Sequence, residues 1–343
     1  MGLIVVAADK GAPGVTTTAL ALAAVWPRPV LLAECDPAGG DIAFRFPAAD
    51  GERLDPRRGT LSLAVAARRG LQSGQVWEHT QKLYGGIDVL LGVTNADQGA
   101  SLSVFWGQLG QVLASVPRAD VIADCGRLGA DGPVTDLLAE ASRVLLLTRA
   151  EVGEVIRLRD RTVALAAAVE KRGRRGFSAD VAVIADQKNF KGELTEVAHA
   201  LGQGRAPARV LGGIVSDARA AGLLRGHWGG KLDKSMLIRS VREIAGQLAA
   251  SMPPQPATDP RPAYERPAGQ HTVGQHTVGQ PPQPAQAPAS QVPQAPVTRP
   301  VTAPAPPAPT APGQHAPGQH AARHRYEPDS AAAPGQVPQH RGR

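Results

Sequence analysis

The sequence predicts an α/β protein with a doubly wound, mainly parallel sheet flanked by helices, followed by a disordered C-terminal tail. Strand-length apolar runs alternate with helical stretches, a Gly-rich turn directly follows the first run, and the composition changes near Met252. Residues 1–250 suffice for one ordinary core, and 253–343 form the tail.

Leu3 to Ala8 is continuously apolar, as expected for a strand covered on both faces. Thr16 to Val25, rich in Ala and Leu, reads as a helix ending before Pro27, and Val30 to Ala33 as a second buried strand. Further strands are expected at Val89–Leu91, Val121–Ala123, Val144–Leu147, Val181–Ala185 and Val210–Val215. In such a sheet ligands bind beyond the carboxyl ends of the strands. The last ordered element, from Lys234 to Ala250, carries Leu237, Val241, Ile244, Ala245 and Leu248 at helical spacing. Packing is the favoured reading of that stripe. A membrane anchor is disfavoured, because Pro253-Pro254 come next and bulky aromatics are missing.

In the tail, Gln270-His271-Thr272-Val273-Gly274 repeats as Gln275 to Gly279, and Ala311-Pro312-Gly313-Gln314-His315 is echoed by Ala316 to His320. Sequence of this kind buries too little surface to offset its chain entropy. Its His residues read as low-complexity sequence rather than metal ligands.

The first apolar run is too short for a membrane span, and no basic-then-apolar leader precedes it, so a cytoplasmic location is expected. Two cysteines, Cys35 and Cys125, make no disulfide framework. A net charge of +7 with pI near 9.8 is modest for 343 residues and weak support for a nucleic-acid partner.

The chemistry concentrates after the strands. After the first comes Asp9-Lys10-Gly11-Ala12-Pro13-Gly14-Val15-Thr16-Thr17. The ordinary phosphate-loop pattern GxxxxGK[ST] fails at its first Gly and its Lys, whereas the deviant form, Lys before Gly-x-x-Gly, matches. Glycines let the backbone approach phosphate, and the N–H groups of a helix start supply donors. By position, Thr16 is a Mg²⁺ ligand and Thr17 a phosphate contact. The second strand ends in Glu34-Cys35-Asp36-Pro37-Ala38-Gly39-Gly40-Asp41, and the one at Val121 in Asp124-Cys125-Gly126. Carboxylates leaving neighbouring strand ends suit a phosphate-bound Mg²⁺, which keeps waters and takes few protein ligands.

These motifs resemble the MinD/ParA superfamily of deviant Walker A P-loop ATPases, across essentially all of residues 1–250. Lys10 to Gly14 resembles the deviant Walker A, Asp36-Pro37 through Asp41 the second acidic motif, and Asp124 the Walker B. Leu147 to Glu151 resembles the following strand-to-helix passage, and Leu211 to Asp217 the late strand whose loop borders adenine. Within the superfamily, Gly39 to Ala43 and Gly85 to Gly92 are similar to the pilus and secretion branch represented by CpaE and TadZ, and to actinobacterial septum-site proteins.

The resemblance implies ATP and Mg²⁺ as cofactors, with Lys10 and residues Gly11, Ala12, Pro13, Gly14, Val15, Thr16 and Thr17 around the nucleotide. It implies Thr16, Asp36 and Asp124 at the metal, and catalytic roles for Lys10, Asp36 and Asp41. It also implies a nucleotide-sandwich homodimer in which Lys10 reaches the opposite subunit, and a protein partner in a septum, pilus or secretion, or partition system. Two departures bear on activity. Val15 stands where the family has a second Lys, and Val215 where it has a Pro beside adenine. Losing a charge-assisted contact costs about 1.5–3 kcal/mol, so binding with little or no hydrolysis, a pseudo-ATPase scaffold, stands beside the ATPase reading. Lys171-Arg172-Gly173-Arg174-Arg175 ends a helical stretch and reads as a solvated helix terminus, with nonspecific DNA contact as the alternative. An electron-transferring relative of the nitrogenase iron protein is disfavoured, since Cys35 and Cys125 lie inside the acidic motifs.

Overall fold

The computed structural model describes residues 1–252 apart from 10, 12, 69, 130, 131 and 227–231. The described residues belong to one unit, Met1–Gly269. The expectation for 253–343 lies outside them.

Eight strands form one sheet: β1 (Leu3–Ala8), β2 (Val30–Glu34), β3 (Gln81–Lys82), β4 (Asp88–Leu90), β5 (Asp120–Arg127), β6 (Arg143–Arg149), β7 (Ala179–Ala185) and β8 (Ala208–Val215). Their order is β3-β4-β2-β5-β1-β6-β7-β8, and every neighbouring pair is parallel except β3 with β4. The central strands are buried on both faces, so they need apolar side chains at every position and appear in the sequence as unbroken runs.

The helices are α1 (Val15–Val25), α2 (Ile42–Arg45), α3 (Thr60–Ala67), α4 (Ala96–Ser101), α5 (Phe105–Ala114), α6 (Val134–Glu140), α7 (Val152–Glu170), α8 (Phe190–Gln203), α9 (Ala218–Leu223) and α10 (Met236–Ala250), with a 3-10 turn at Ser73–His79. Alternate residues of β1 divide the core. Ile4, Val6 and Ala8 pack with α1, α9 and α10, while Leu3, Val5 and Ala7 pack with α5, α6 and α7. This places β1, and the turn that leaves it, at the centre of a three-layer sandwich.

The α10 stripe foreseen in the sequence is a packing stripe, with Leu237, Val241, Ile244, Ala245 and Leu248 all buried against β8 and α1. Ser235 caps the helix, its Oγ accepting from Ile238 N at 3.2 Å. No apolar face of α10 remains to anchor a membrane, and no helix among the described residues is long and apolar enough to cross one.

At the amino ends of the strands, Asp120 holds three segments together. Its fully buried carboxylate accepts from Gly2 N at 3.1 Å and Trp26 Nε1 at 3.0 Å, and pairs with Arg28 Nε at 2.8 Å. Replacing one member of such a group leaves buried donors without an acceptor. Asp120→Ala should therefore destabilise the protein by about 3 kcal/mol in urea unfolding; a loss below about 1 kcal/mol would mean that the contacts merely accompany the packing.

Candidate functional site

The turn after β1 places two glycines in left-handed backbone directly before a helix start. Gly11 and Gly14 both take φ of 71°, in the left-handed region that favours glycine. Gly14 caps α1 and its carbonyl accepts from Thr18 N at 2.8 Å, so the amides of Val15, Thr16 and Thr17 open the helix without intrahelical partners. Thr16 and Thr17 are half-buried at this opening. Lys10 and Ala12 lie outside the described residues. Glu154, in the first turn of α7, comes to 4.0 Å from where a Cβ on Gly11 would lie, and Arg161 of the same helix pairs with Asp9 at 2.6 Å.

Val15 does not face this opening as a polar residue would. It is 2% exposed and packs in the apolar cluster with Ile4, Val6 and Ala8. The side chain at the departure from the family pattern thus belongs to the core.

Beside the cradle, β2 and β5 run in register with Glu34 opposite Asp124. Asp124 is buried, with the Thr16 hydroxyl near enough to oppose the rise of its pKa, and Gly126 N donates to its carboxylate at 3.2 Å. Burial pushes its pKa up to about 6, and the nearby charges of Asp36 and Asp41 add to the rise. Asp36 accepts from Ala38 N at 2.8 Å, and its carboxylate lies against Gly126, which has φ of 56°. A Cβ on Gly126 would overlap that carboxylate, so glycine here is a requirement of packing as well as of backbone. Burial raises the Asp36 pKa, and Arg127 opposes the rise. Asp41 opens α2 and pairs with Arg45 in its last turn.

Sequence alone assigns no role to Glu34. Its buried carboxylate joins two loops, Oε1 accepting from Ile42 N at 3.0 Å and Oε2 from Gly92 N at 3.1 Å. Burial lifts its pKa to about 7 despite these bonds. A Cβ on Gly92 would come within 2.8 Å of Glu34 Cβ, and one on Gly40 would overlap the carboxylate. A Glu closing an apolar strand, with glycines at those two loops, was the available signal.

Among the described residues no three His, Cys, Asp or Glu side chains converge to hold an ion by themselves. A hydroxyl beside a buried carboxylate, with a second carboxylate near, is instead a donor set for a hard cation that retains water and borrows phosphate oxygens. Thr16, Asp36 and Asp124 fit Mg²⁺ in that sense.

A separate open groove of 880 Å³ lies beyond β7 and β8, lined by residues of the Gln187–Glu196 passage, by Val215 and by α10 residues including Met236 and Glu243. Val215 N donates to Ser240 Oγ at 3.0 Å there, so the segment that resembled an adenine border is present as a wall, with no loop residue of the cradle lining it.

One other expectation changes. In the basic run, Arg172 pairs with Asp136 at 2.6 Å and the half-buried Arg174 donates to the Leu138 carbonyl at 2.7 Å. Half of the four cations serve the α6–α7 packing, which weakens the DNA reading. Cys35 and Cys125 are buried neighbours, and burial pushes the Cys125 thiol up, so neither offers a surface ligand.

A raised carboxylate pKa sets the sign of a pH effect. The stabilisation from the Glu34 proton is complete below the ordinary value of 4.5 and is lost as pH rises through about 7. Wild-type stability minus that of Glu34→Gln should therefore fall across this window, by on the order of 1–3 kcal/mol. Urea unfolding at several pH values reads the slope, and a flat difference would place the Glu34 pKa in the ordinary range.

No protein-family model matches the chain, and no curated protein does. Solved structures do match. A putative plasmid partition protein from Borrelia burgdorferi bound to AMPPNP is 15% identical, with 73% of this chain and 99% of that one covered and a TM-score of 0.54. A ParA family ATPase from Chlorobium tepidum is 14% identical over 71% and 98%, with a TM-score of 0.53. The ATP complex of Cyanothece McdA(D38A) is 17% identical over 73% and 96%, with a TM-score of 0.52. Such identities speak for architecture, and with the cradle after β1 and the carboxylates after β2 and β5 they establish that the chain has the fold of the MinD/ParA-type P-loop ATPases.

Proposed function

We propose that this protein binds ATP with Mg²⁺ at the turn after β1 and acts as a MinD/ParA-like spatial regulator, through a nucleotide-sandwich homodimer. The observation that carries the reading is the placement of a glycine-capped helix start, with its first-turn amides and Thr16, beside the buried carboxylate of Asp124 in β5. A Gly-rich helix cap alone is common, whereas one set beside a buried carboxylate has the chemistry of a phosphate-bound cation site. The Borrelia burgdorferi and Cyanothece proteins, bound to AMPPNP and ATP respectively, support the choice of ligand. The cargo is a partner in septum placement, pilus or secretion positioning, or chromosome partitioning.

Each group has a definite part. The amides of Val15, Thr16 and Thr17 receive phosphate oxygens, and the Thr16 hydroxyl and the Asp124 and Asp36 carboxylates hold the cation side. Mg²⁺, when bound, neutralises charge on the phosphates. Asp36, against Gly126, is positioned to orient an attacking water. Lys10 supplies cationic charge, across the dimer, that Val15 cannot.

A second reading, a pseudo-ATPase scaffold, is favoured by one observation, the burial of Val15 in the core. On that reading the fold and dimer surface persist with little or no turnover.

Thr16→Ala tests the site. It should weaken binding of ATP with Mg²⁺ by about tenfold or more while leaving stability without nucleotide nearly unchanged. Unchanged affinity would remove Thr16 from the site.

Val15→Lys separates the two readings. Its ammonium should avoid the apolar cluster and lie along the loop, raising ATP affinity by roughly tenfold or more with little change for AMP, which lacks the β- and γ-phosphates. A generic charge effect would strengthen both weakly and fade with salt. Titrations with both nucleotides at two salt concentrations, with turnover measured at saturating ATP, discriminate these outcomes. No ATP-selective gain would leave the scaffold reading ahead.

A further inference from the structure

At the end of the sheet opposite the nucleotide site, a groove of 1120 Å³ opens where β2, β4 and β5 begin. Its lining is unusual for a chain with only 3% aromatic residues, since Trp26, Phe46, Trp77 and Tyr84 all contribute. Tyr84 is 65% exposed, and it is presented by the turn between β3 and β4, where Gly85 and Gly86 take φ of 99° and 91°. Arg118 stands in the same lining with exposed donors. Nothing in the nucleotide reading uses this surface.

The last described residue lies close by. Met252 is buried in the same apolar cluster as Trp26 and Leu83, and its side chain packs against Gly2. Gly2 N shares the Asp120 carboxylate with Trp26 Nε1, and Met1 Sδ accepts from Arg118 N at 2.7 Å. The chain thus continues past 252 from beside residues that line the groove. Its next residues are Pro253-Pro254-Gln255-Pro256, with further prolines at 260, 262 and 267. Proline-rich chain of this kind is extended before it binds, costs little entropy to dock, and is received by aromatic-lined grooves. At about 3.1 Å per residue, 253–267 reaches roughly 45 Å, ample to cross the cavity. It has no run of large aliphatic residues with which to dock as a helix or a sheet strand.

We propose that the groove lined by Trp26, Phe46, Trp77 and Tyr84 is a polyproline-binding site whose occupant is the chain's own segment 253–267.

A nitroxide on Ala257→Cys in the full chain tests this, because Cys35 and Cys125 are buried and stay unlabelled. The indole signal of Trp77 should fall to about half or less of its value with the label reduced, given the millimolar effective concentration of a tethered segment. Trp106, whose indole donates to the Gly99 carbonyl beside Pro37, beyond the carboxyl end of β2 and so at the other end of the sheet, should keep its signal. Tyr84→Ala should restore the Trp77 signal. So should changing Pro253, Pro254 and Pro256 together to Gly, which leaves the core untouched. An unaffected Trp77, or broadening that survives both changes, overturns the proposal. Broadening seen only when the labelled chain is mixed with an isotope-enriched unlabelled chain gives the groove to a second copy and also overturns it.

Discussion

Burying carboxylates at the ends of two adjacent central strands is the constraint on which this site depends. Glu34 and Asp124 face each other across β2 and β5, with Asp36 and Asp41 near enough to act on them electrostatically. Desolvating like charges together is costly unless each finds donors. Backbone amides of Ile42, Gly92, Ala38 and Gly126 supply them. The glycines at 40, 92 and 126 are then required, because a Cβ at any of them would meet a carboxylate side chain. Much of the loop sequence is therefore a consequence of where these acids sit.

The same arrangement explains what was legible. Strands buried on both faces advertise themselves, and β1, β2, β6, β7 and β8 fall where continuous apolar runs placed them. β5 runs from Asp120 to Arg127, longer than the apolar run Val121–Ala123, because buried Asp120 bonds to Gly2 and Trp26 from distant segments and Asp124 accepts from Gly126 just beyond it. β3 went unread because Gln81 and Lys82 form a two-residue antiparallel edge with no apolar signature. At the candidate site, the places of Thr16 at the start of α1 and Asp124 in β5 were readable from spacing. Glu34 was not, since its role rests on an amide 58 positions away at Gly92. The basic run at 171–175 misled for the opposite reason: composition shows charge, and only the fold shows that Arg172 and Arg174 are engaged with α6.

Val15 is where local and global demands diverge. Burying a Val side chain contributes about 1.5–3 kcal/mol to folding, and a charge-assisted contact to phosphate is worth about the same, 1.5–3 kcal/mol, to binding. The exchange is nearly even in magnitude, but the two terms act on different equilibria. Stability gains at the helix start, where α1 enters the core beside Ile4 and Val6, while the grip on the outer phosphates loses. On the proposed reading, what remains at the phosphate loop is the set of first-turn amides, with Thr16 beside Asp124. Amides at a helix start act on any nearby anionic oxygen, whereas an ammonium on a long side chain selects the phosphates it can reach. A loop built this way would hold phosphate with less preference for the terminal group than one carrying Lys at this position, and discrimination between nucleotide states would fall to groups outside α1.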